Sequence, residues 1–167
     1  MRPDSSTRSI TLTQGKVTVV DEADYWAIAG FNWFYTILGY AVTSIGGGRV
    51  VTMHRMILLP DPGYEVDHIN GDKLDNRRCN LRVCTRVQNA ANTRKWRRNK
   101  VGYKGVYQPN AGRPGTYQAR IYRNGRATSL GCFSDPIDAA LAYDIAVIQA
   151  DGEFARPTFL RGGGQHR

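Results

Sequence analysis

Cysteine is scarce in this chain. Its 167 residues hold three, Cys79, Cys84 and Cys132, an odd number with no C-x-x-C pair. This argues against a disulfide framework and a four-cysteine zinc site, and the three read as buried free thiols. Long apolar runs are missing too. Gly, Asn or Arg interrupts each candidate within a few residues, so no membrane-spanning helix and no membrane partner are expected. The opening MRPDSSTRSI has no apolar centre of the kind a secretory signal carries, which leads us to expect an intracellular protein. Three consecutive glycines, Gly46, Gly47 and Gly48, are followed by neither Lys-Ser/Thr nor a helix. They read as a tight hairpin and not as a phosphate loop. An apolar fraction of 41% and a mean hydropathy of −0.44 fit a folded, soluble chain, long enough for one ordinary domain or two small ones.

Acidic residues are absent from one stretch in particular. Residues 77 to 104 contain Arg77, Arg78, Arg82, Arg86, Arg94, Lys95, Arg97, Arg98, Lys100 and Lys104 and no Asp or Glu. The remaining thirteen basic residues face fourteen acidic ones, so the whole net charge of +9 comes from this block. The block is central, where a solvated charged tail would sit at a chain end, and Trp96 and Tyr103 lie within it. Clustered cations interleaved with aromatics are the footprint of phosphate binding, and double-stranded DNA is the expected partner.

The local patterns suggest many short elements. Ser9 to Thr13 and Lys16 to Val20 read as a hairpin, and Asp21 as the cap of a helix from Glu22 to Ala29. Trp33 to Ile37, Tyr40 to Ile45 and Val50 to Met53 read as strands, followed by a short apolar turn, Met56 to Leu59, that His54-Arg55 opens and Pro60 ends. Tyr64 to His68 and Leu81 to Cys84 are strand candidates, and Asn70-Gly71 and Asp75-Asn76 make the chain between them loop-like. A helix should run from Arg86 to about Arg94. Gly105 to Gln108, Tyr117 to Tyr122 and Ala127 to Leu130 are three further strands. A last helix starts at Asp135-Pro136 and stops at Gly152. Along its strand, Tyr117, Ala119 and Ile121 should meet that helix, while Gln118, Arg120 and Tyr122 face away.

The densest chemistry lies in VDHINGDKLDNRRCNLRVCTRVQNAANT, residues 66 to 93. Asp67 and His68 are adjacent at a strand end, where neighbours point to opposite sides. One can then ligate a metal while the other faces an attacking water. Phosphodiester hydrolysis needs a group to take a proton from water, and a neutral imidazole suits this. It also needs a hard divalent cation with open positions to offset charge building on phosphate oxygens. Asn89, on the helix, can offer a second oxygen ligand, and Asn92, three residues further on, competes with it. Asn80 can hold the loop by bonding across its turn. Oxygen ligands favour Mg²⁺ or Mn²⁺ over Zn²⁺. His54 reads either as a packing residue or as a site contact.

VDHINGDKLDNRRCNLR followed by VQNAAN resembles the HNH endonuclease family, in the phage and homing-endonuclease branch with Asp-His in place of His-His. The resemblance implies a ββα-metal fold with Asp67 as first metal ligand and His68 as general base. It also implies Asn80 as the central structural asparagine and Asn89 as last metal ligand. Further on, KGVYQ, TYQARIY, SLGCF, DAALAYDIA and GEFA resemble the AP2/ERF DNA-binding domain, a three-stranded sheet backed by one helix. Where plant members carry Arg and Trp on the reading face, this chain has Tyr107, Ala127 and Ser129.

The sequence therefore predicts an α+β protein: a small β-rich N-terminal platform leading into a ββα-metal unit, then a three-stranded sheet plus one helix. The expected division is a nuclease domain over 1–93 with its ββα core at about 64–93, a basic linker over 94–104, an AP2-like domain over 105–160 and a tail over 161–167. The expected activity is metal-dependent DNA cleavage that nicks one strand as a monomer and leaves 5′-phosphate and 3′-hydroxyl ends, in the cytoplasm of a bacterial or phage-infected cell. Expected DNA contacts are Arg55, Arg77, Arg78, Arg94, Lys95, Arg97, Arg98, Lys100, Lys104, Tyr107, Arg120 and Tyr122. The alternative is a non-catalytic, sequence-preferring DNA-binding regulator.

Overall fold

The structure, a computed structural model, describes residues 6–92, 99–109, 115–123 and 125–159. The chain divides into two compact units, residues 1–86 and 87–167. Among the described residues every strand pairing is antiparallel, apart from one isolated parallel bridge, and the helices stand between short runs of strands. That is an α+β arrangement.

The first unit opens with a hairpin of β1 (Thr7–Thr11) and β2 (Val17–Asp21), in register Thr7 to Asp21. Helix α1 (Glu22–Ile28) follows. Asp21 stands at its N-cap position, but its carboxylate does not cap the helix. It instead accepts from the backbone N–H of Arg78 at 2.7 Å, tying the hairpin to a segment 57 residues away. Next come β3 (Phe34–Tyr35), β4 (Ala41–Ser44) and β5 (Val50–Thr52), three strands in sequential order. The glycines Gly46, Gly47 and Gly48 all have positive φ in the β4–β5 turn, where residues with a Cβ would be strained.

Helix α2 (Met53–Leu58) replaces the apolar turn expected there. His54 and Arg55 are helical, and the helix ends at Leu59 in the left-handed region, with Pro60 next. A six-residue helix is too short to show a 3.6-residue period, which is why the pattern reads as a turn. The pair β6 (Glu65–His68) and β7 (Leu81–Cys84) then sets Asp67 opposite Arg82 and His68 opposite Leu81. The core beneath is built from Ile10, Leu12, Val20, Ile28, Trp33, Ala41, Met53, Ile57, Val66 and Leu81. It joins the hairpin, the three-stranded sheet, α2 and the β6–β7 pair into one apolar cluster, which none of these pieces is large enough to form alone.

The connection between β6 and β7 is more than a loop. Its middle runs beside β2: Val19 N–H donates to Leu74 O at 2.9 Å, and Asn76 N–H donates to Val19 O at 2.8 Å. These make a parallel bridge between Val19 and Asp75. Asn76, expected as a turn residue, is fully buried by this docking.

Helix α3 (Arg86–Ala91) leads into the second unit. There β8 (Val106–Tyr107), β9 (Tyr117–Arg123) and β10 (Arg126–Phe133) form a sheet in the order β10-β9-β8. Helix α4 (Pro136–Asp151) packs on it. Asp135 caps α4 by accepting from Ile137 N–H at 2.7 Å, and Pro136 is its first residue. The expected alternation holds on β9: Ala119 and Ile121 are buried, whereas Arg120 and Tyr122 are exposed. Small side chains let α4 lie close, since Ala119, Ala139 and Ala140 cluster with Val106, and Ile121 with Tyr143 and Val147. Gly105 marks the closest approach, because a Cβ there would lie 1.9 Å from the Tyr143 ring. Asp144 is a buried acid on α4, and its two oxygens accept from the backbone N–H groups of Thr158 and Phe159 at 2.7 Å each, latching the following segment. Cys84 is buried as expected, but Cys79 and Cys132 are exposed: Cys79 lies in the short turn before β7, and Cys132 pairs across β9 with Gln118, on the strand face expected to point away from α4.

Candidate active site

The site is assembled at the end of β6. Asp67 and His68 are both buried, at 6% and 5% exposure, and each belongs to its own network. Arg82, across the β6–β7 ladder, donates from Nε and Nη2 to the same Asp67 oxygen, Oδ2, at 2.9 and 2.7 Å. Both side chains of this pair are largely withdrawn from water, so the guanidinium is the counter-charge that allows a carboxylate to be buried here.

His68 faces a different set of groups. Its Nε2 lies 3.2 Å from Asn76 Oδ1. The His54 ring stands edge-on to it at 4.9 Å, and the Tyr40 ring lies 6.2 Å away. Burial lowers the His68 pKa, partly offset by the Asn76 hydrogen bond and by Asp67, Asp72 and Asp75. The recess thus disfavours the charged form of the His68 imidazole. His54 is pushed down to about 3, first by burial and then by the neighbouring His68, Arg55 and Lys73. Its Nε2 is 3.1 Å from the Thr52 hydroxyl. His54 is a buried residue whose ring packs against that of His68. Lys73 brings a cation to this side, with Nζ 4.2 Å from the Tyr40 ring centre and donating to Leu38 O at 2.8 Å.

Asn80 spans the connection. Its Oδ1 accepts from Asn70 N–H at 3.0 Å, its Nδ2 donates to Asp75 O at 2.8 Å, and its own carbonyl accepts from Ile69 N–H. One buried side chain thereby fixes both ends of the segment that follows His68. Asn89 and Asn92 stand on and just after α3, in the second unit. Asn89 is half-buried, and Asn92 is buried with the Arg156 guanidinium 3.3 Å from its carbonyl oxygen and 3.5 Å from its Oδ1. Among the described residues, no cluster of three or more His, Cys, Asp or Glu that could hold a metal is formed.

The sequence profile of a family described as HNH endonuclease matches residues 58–91. Over 142 residues the chain is 31% identical to a protein of Acanthamoeba polyphaga mimivirus named as an uncharacterized HNH endonuclease, and the alignment covers 80% of this chain and 71% of that protein. The chain belongs to the HNH endonuclease family. The matched segment of this HNH protein contains Asp67, His68, Asn80 and Asn89 and ends before Asn92.

The residues expected to touch DNA fall into three groups. Arg77 and Arg78 are engaged by acids: Arg77 forks onto Asp75 with two bonds of 2.7 Å, and Arg78 onto Asp24 with two of 2.8 Å. Arg55 donates to Tyr64 O at 3.0 Å. Lys104 is half-buried and donates to Ala91 O at 2.8 Å, closing the last turn of α3. Burial lowers its pKa to about 8, helped by Arg123 and Arg156. In contrast, Lys100 is exposed, and Tyr107, Arg120 and Tyr122 lie on the outer face of the second unit's sheet. There the Arg120 guanidinium sits 6.0 Å from the Tyr107 ring centre. Arg94, Lys95, Arg97 and Arg98 lie outside the described residues.

Several residues of the site were not singled out from the sequence. Arg82 had a usable signal, because antiparallel pairing of the two strand candidates places a cation beside Asp67. Asn76 was visible only as half of a turn dipeptide. Tyr40 and Thr18, a buried β2 residue bonded to Asn76, carry no local signal at all.

Proposed function

We propose that this HNH endonuclease hydrolyses double-stranded DNA with a divalent cation, Mg²⁺ or Mn²⁺, held by Asp67 and the amide oxygen of Asn89. The observation that carries the reading is the separation of duties at the end of β6. Asp67 is paired with Arg82, while its neighbour His68 sits in a ring-lined recess whose burial disfavours the charged imidazole. A carboxylate and an amide oxygen are hard donors of the kind such a cation takes. When bound, the cation supplies charge stabilisation at the phosphate oxygens and the leaving 3′ oxygen. His68 takes the proton from the attacking water, and Asn80 keeps His68 and the following segment in place. Asn89 is favoured over Asn92 because it lies inside the segment that the family profile matches, which ends at residue 91.

The products are a 5′-phosphate and a 3′-hydroxyl, and with one such site a monomer nicks one strand. Residues 64–93 would form the ββα-metal core of a nuclease domain over 1–93, and residues 105–160 an AP2-like DNA-binding domain joined to it by the basic segment 94–104. The exposed row Tyr107, Arg120 and Tyr122 supports that second role. It offers one guanidinium and two aromatic rings to phosphate and base edges, enough for positioning and for some preference.

Supercoiled plasmid incubated with the protein and Mg²⁺ or Mn²⁺ should convert to nicked circles. EDTA or His68→Ala should stop the conversion. Equal activity in wild type and His68→Ala overturns the nuclease assignment to this site. DNA binding without cleavage of plasmid or of selected cognate sites would favour the regulator.

A further inference from the structure

We infer that Thr18, on the N-terminal hairpin, is a positioning residue for the reaction: through Asn76 it fixes His68 as the Nε2–H tautomer, so that Nδ1 is the nitrogen that receives the proton from water. The inference deepens the proposed function and rests on His68 being its base.

The argument is one of hydrogen-bond polarity. Leu74 O is a carbonyl oxygen and can only accept. It lies 2.7 Å from Thr18 Oγ1, so the single hydroxyl proton of Thr18 points to it. The Met53 sulfur, 3.8 Å from the same oxygen, is a weaker and more distant competitor. With its proton committed, Thr18 Oγ1 is left as an acceptor, and Asn76 Nδ2 donates to it at 2.8 Å. Lys73 O, another obligate acceptor, lies 3.4 Å from Asn76 Nδ2 and requires the same amide orientation. The opposite end of the amide, Oδ1, must then face His68 Nε2 at 3.2 Å. An amide oxygen cannot donate, so Nε2 carries the proton. In a neutral imidazole the lone pair is consequently on Nδ1.

Burial makes this chain of bonds firm. Thr18 and Asn76 are both fully buried, leaving no water to substitute for a reversed partner. The backbone of Asn76 is held as well, since its N–H donates to Val19 O. When Nδ1 takes the proton of the attacking water, the oxygen of that water forms the bond to phosphorus as the bond from phosphorus to the 3′ oxygen breaks, and the 3′ oxygen leaves to take up a proton from solvent. Nε2 keeps its own proton and its bond to Asn76 Oδ1. No group in the chain has to reverse during the step.

The tautomer can be read directly by ¹⁵N NMR on the full chain labelled at histidine, without metal, with His68→Gln to assign the signal. Wild type should show Nε2 as the pyrrole-type and Nδ1 as the pyridine-type nitrogen. Thr18→Val keeps the shape and removes the hydroxyl. It should give a mixture of tautomers and lower kcat for plasmid nicking about tenfold, less than the roughly hundredfold or more that an entire general base contributes, with KM changed less than about twofold. Thr18→Ser should restore both. An Nδ1–H tautomer in wild type overturns the inference, as does an unchanged tautomer and kcat in a folded Thr18→Val. If Thr18→Val does not fold, the wild-type and Thr18→Ser spectra decide. If the wild type nicks no DNA, the nuclease reading fails while the spectra still test the tautomer.

Discussion

Arg82→Met should make the stability of the first unit depend on divalent cation. In the wild type, Arg82 holds one Asp67 oxygen with bonds of 2.9 and 2.7 Å, between side chains that are 13% and 7% exposed. At 2.7 Å the gross attraction is about 6 kcal/mol for an effective dielectric of 20, most of it offset by the cost of withdrawing both charges from water. Methionine keeps the volume but leaves the buried carboxylate without its cation. Breaking a buried pair in this way costs about 3–5 kcal/mol. A divalent ion on Asp67 would supply the missing charge. At 100 times its dissociation constant it would return about 2.7 kcal/mol by mass action. The assay is urea denaturation followed by the fluorescence of Trp33, a buried core residue of the same unit, in EDTA and in 10-fold steps of Mn²⁺. A large loss in EDTA that shrinks with cation supports the assignment of Asp67 as a ligand. A loss below about 1 kcal/mol, or one that cation does not alter, refutes the view that Arg82 and a metal share this carboxylate.

Other outcomes follow from the same structure. Gly105→Ala places a methyl 1.9 Å from the Tyr143 ring at a φ of +72°, so the second unit should lose about 2–4 kcal/mol from strain and overpacking, seen as a lower thermal midpoint. His54 has its pKa depressed to about 3, whereas an unfolded histidine titrates near 6.5. Below pH 6.5 the unfolded chain binds a proton that the folded chain refuses. Stability should therefore fall as pH drops from 6.5 towards 3, by up to about 1.4 kcal/mol per unit, and His54→Gln should flatten urea midpoints measured across that window. Arg120→Ala should weaken DNA binding in an electrophoretic or anisotropy titration and reduce the log–log salt slope by about one if the guanidinium meets a phosphate. An unchanged slope would assign it to a base or remove it from the interface.

Much of the fold is legible in local pattern. Strand β7 runs from Leu81 to Cys84, the bounds expected for it, and α4 begins and ends at the cap and glycine that mark it. These elements are written in neighbouring residues. The partners of charges are not. Asp24 is 54 residues from Arg78, and nothing near either announces the pair. The basic block counts as ten unopposed charges in sequence, yet Arg77, Arg78 and Arg82 each carry an acid on them in space. Asp21 has the position of a helix cap and the function of a long-range acceptor. The candidate site divides in the same way. Asp67, His68 and Asn80 follow from a motif, whereas Thr18, Tyr40 and Asn76 depend on where β2 and β4 happen to pass.

That passage bears on how far the segment that carries the family signature is portable. The family match starts at residue 58, but its β6–β7 connection is edge-paired with Val19, bonded by Asp21 and Asp24, and seated on the Thr18 hydroxyl. Residues 58–91 transplanted into another scaffold would carry Asp67, His68, Asn80 and Asn89 without the surfaces that hold their segment. The smallest inheritable part of this enzyme is therefore larger than its recognisable signature, and the hairpin has to travel with it.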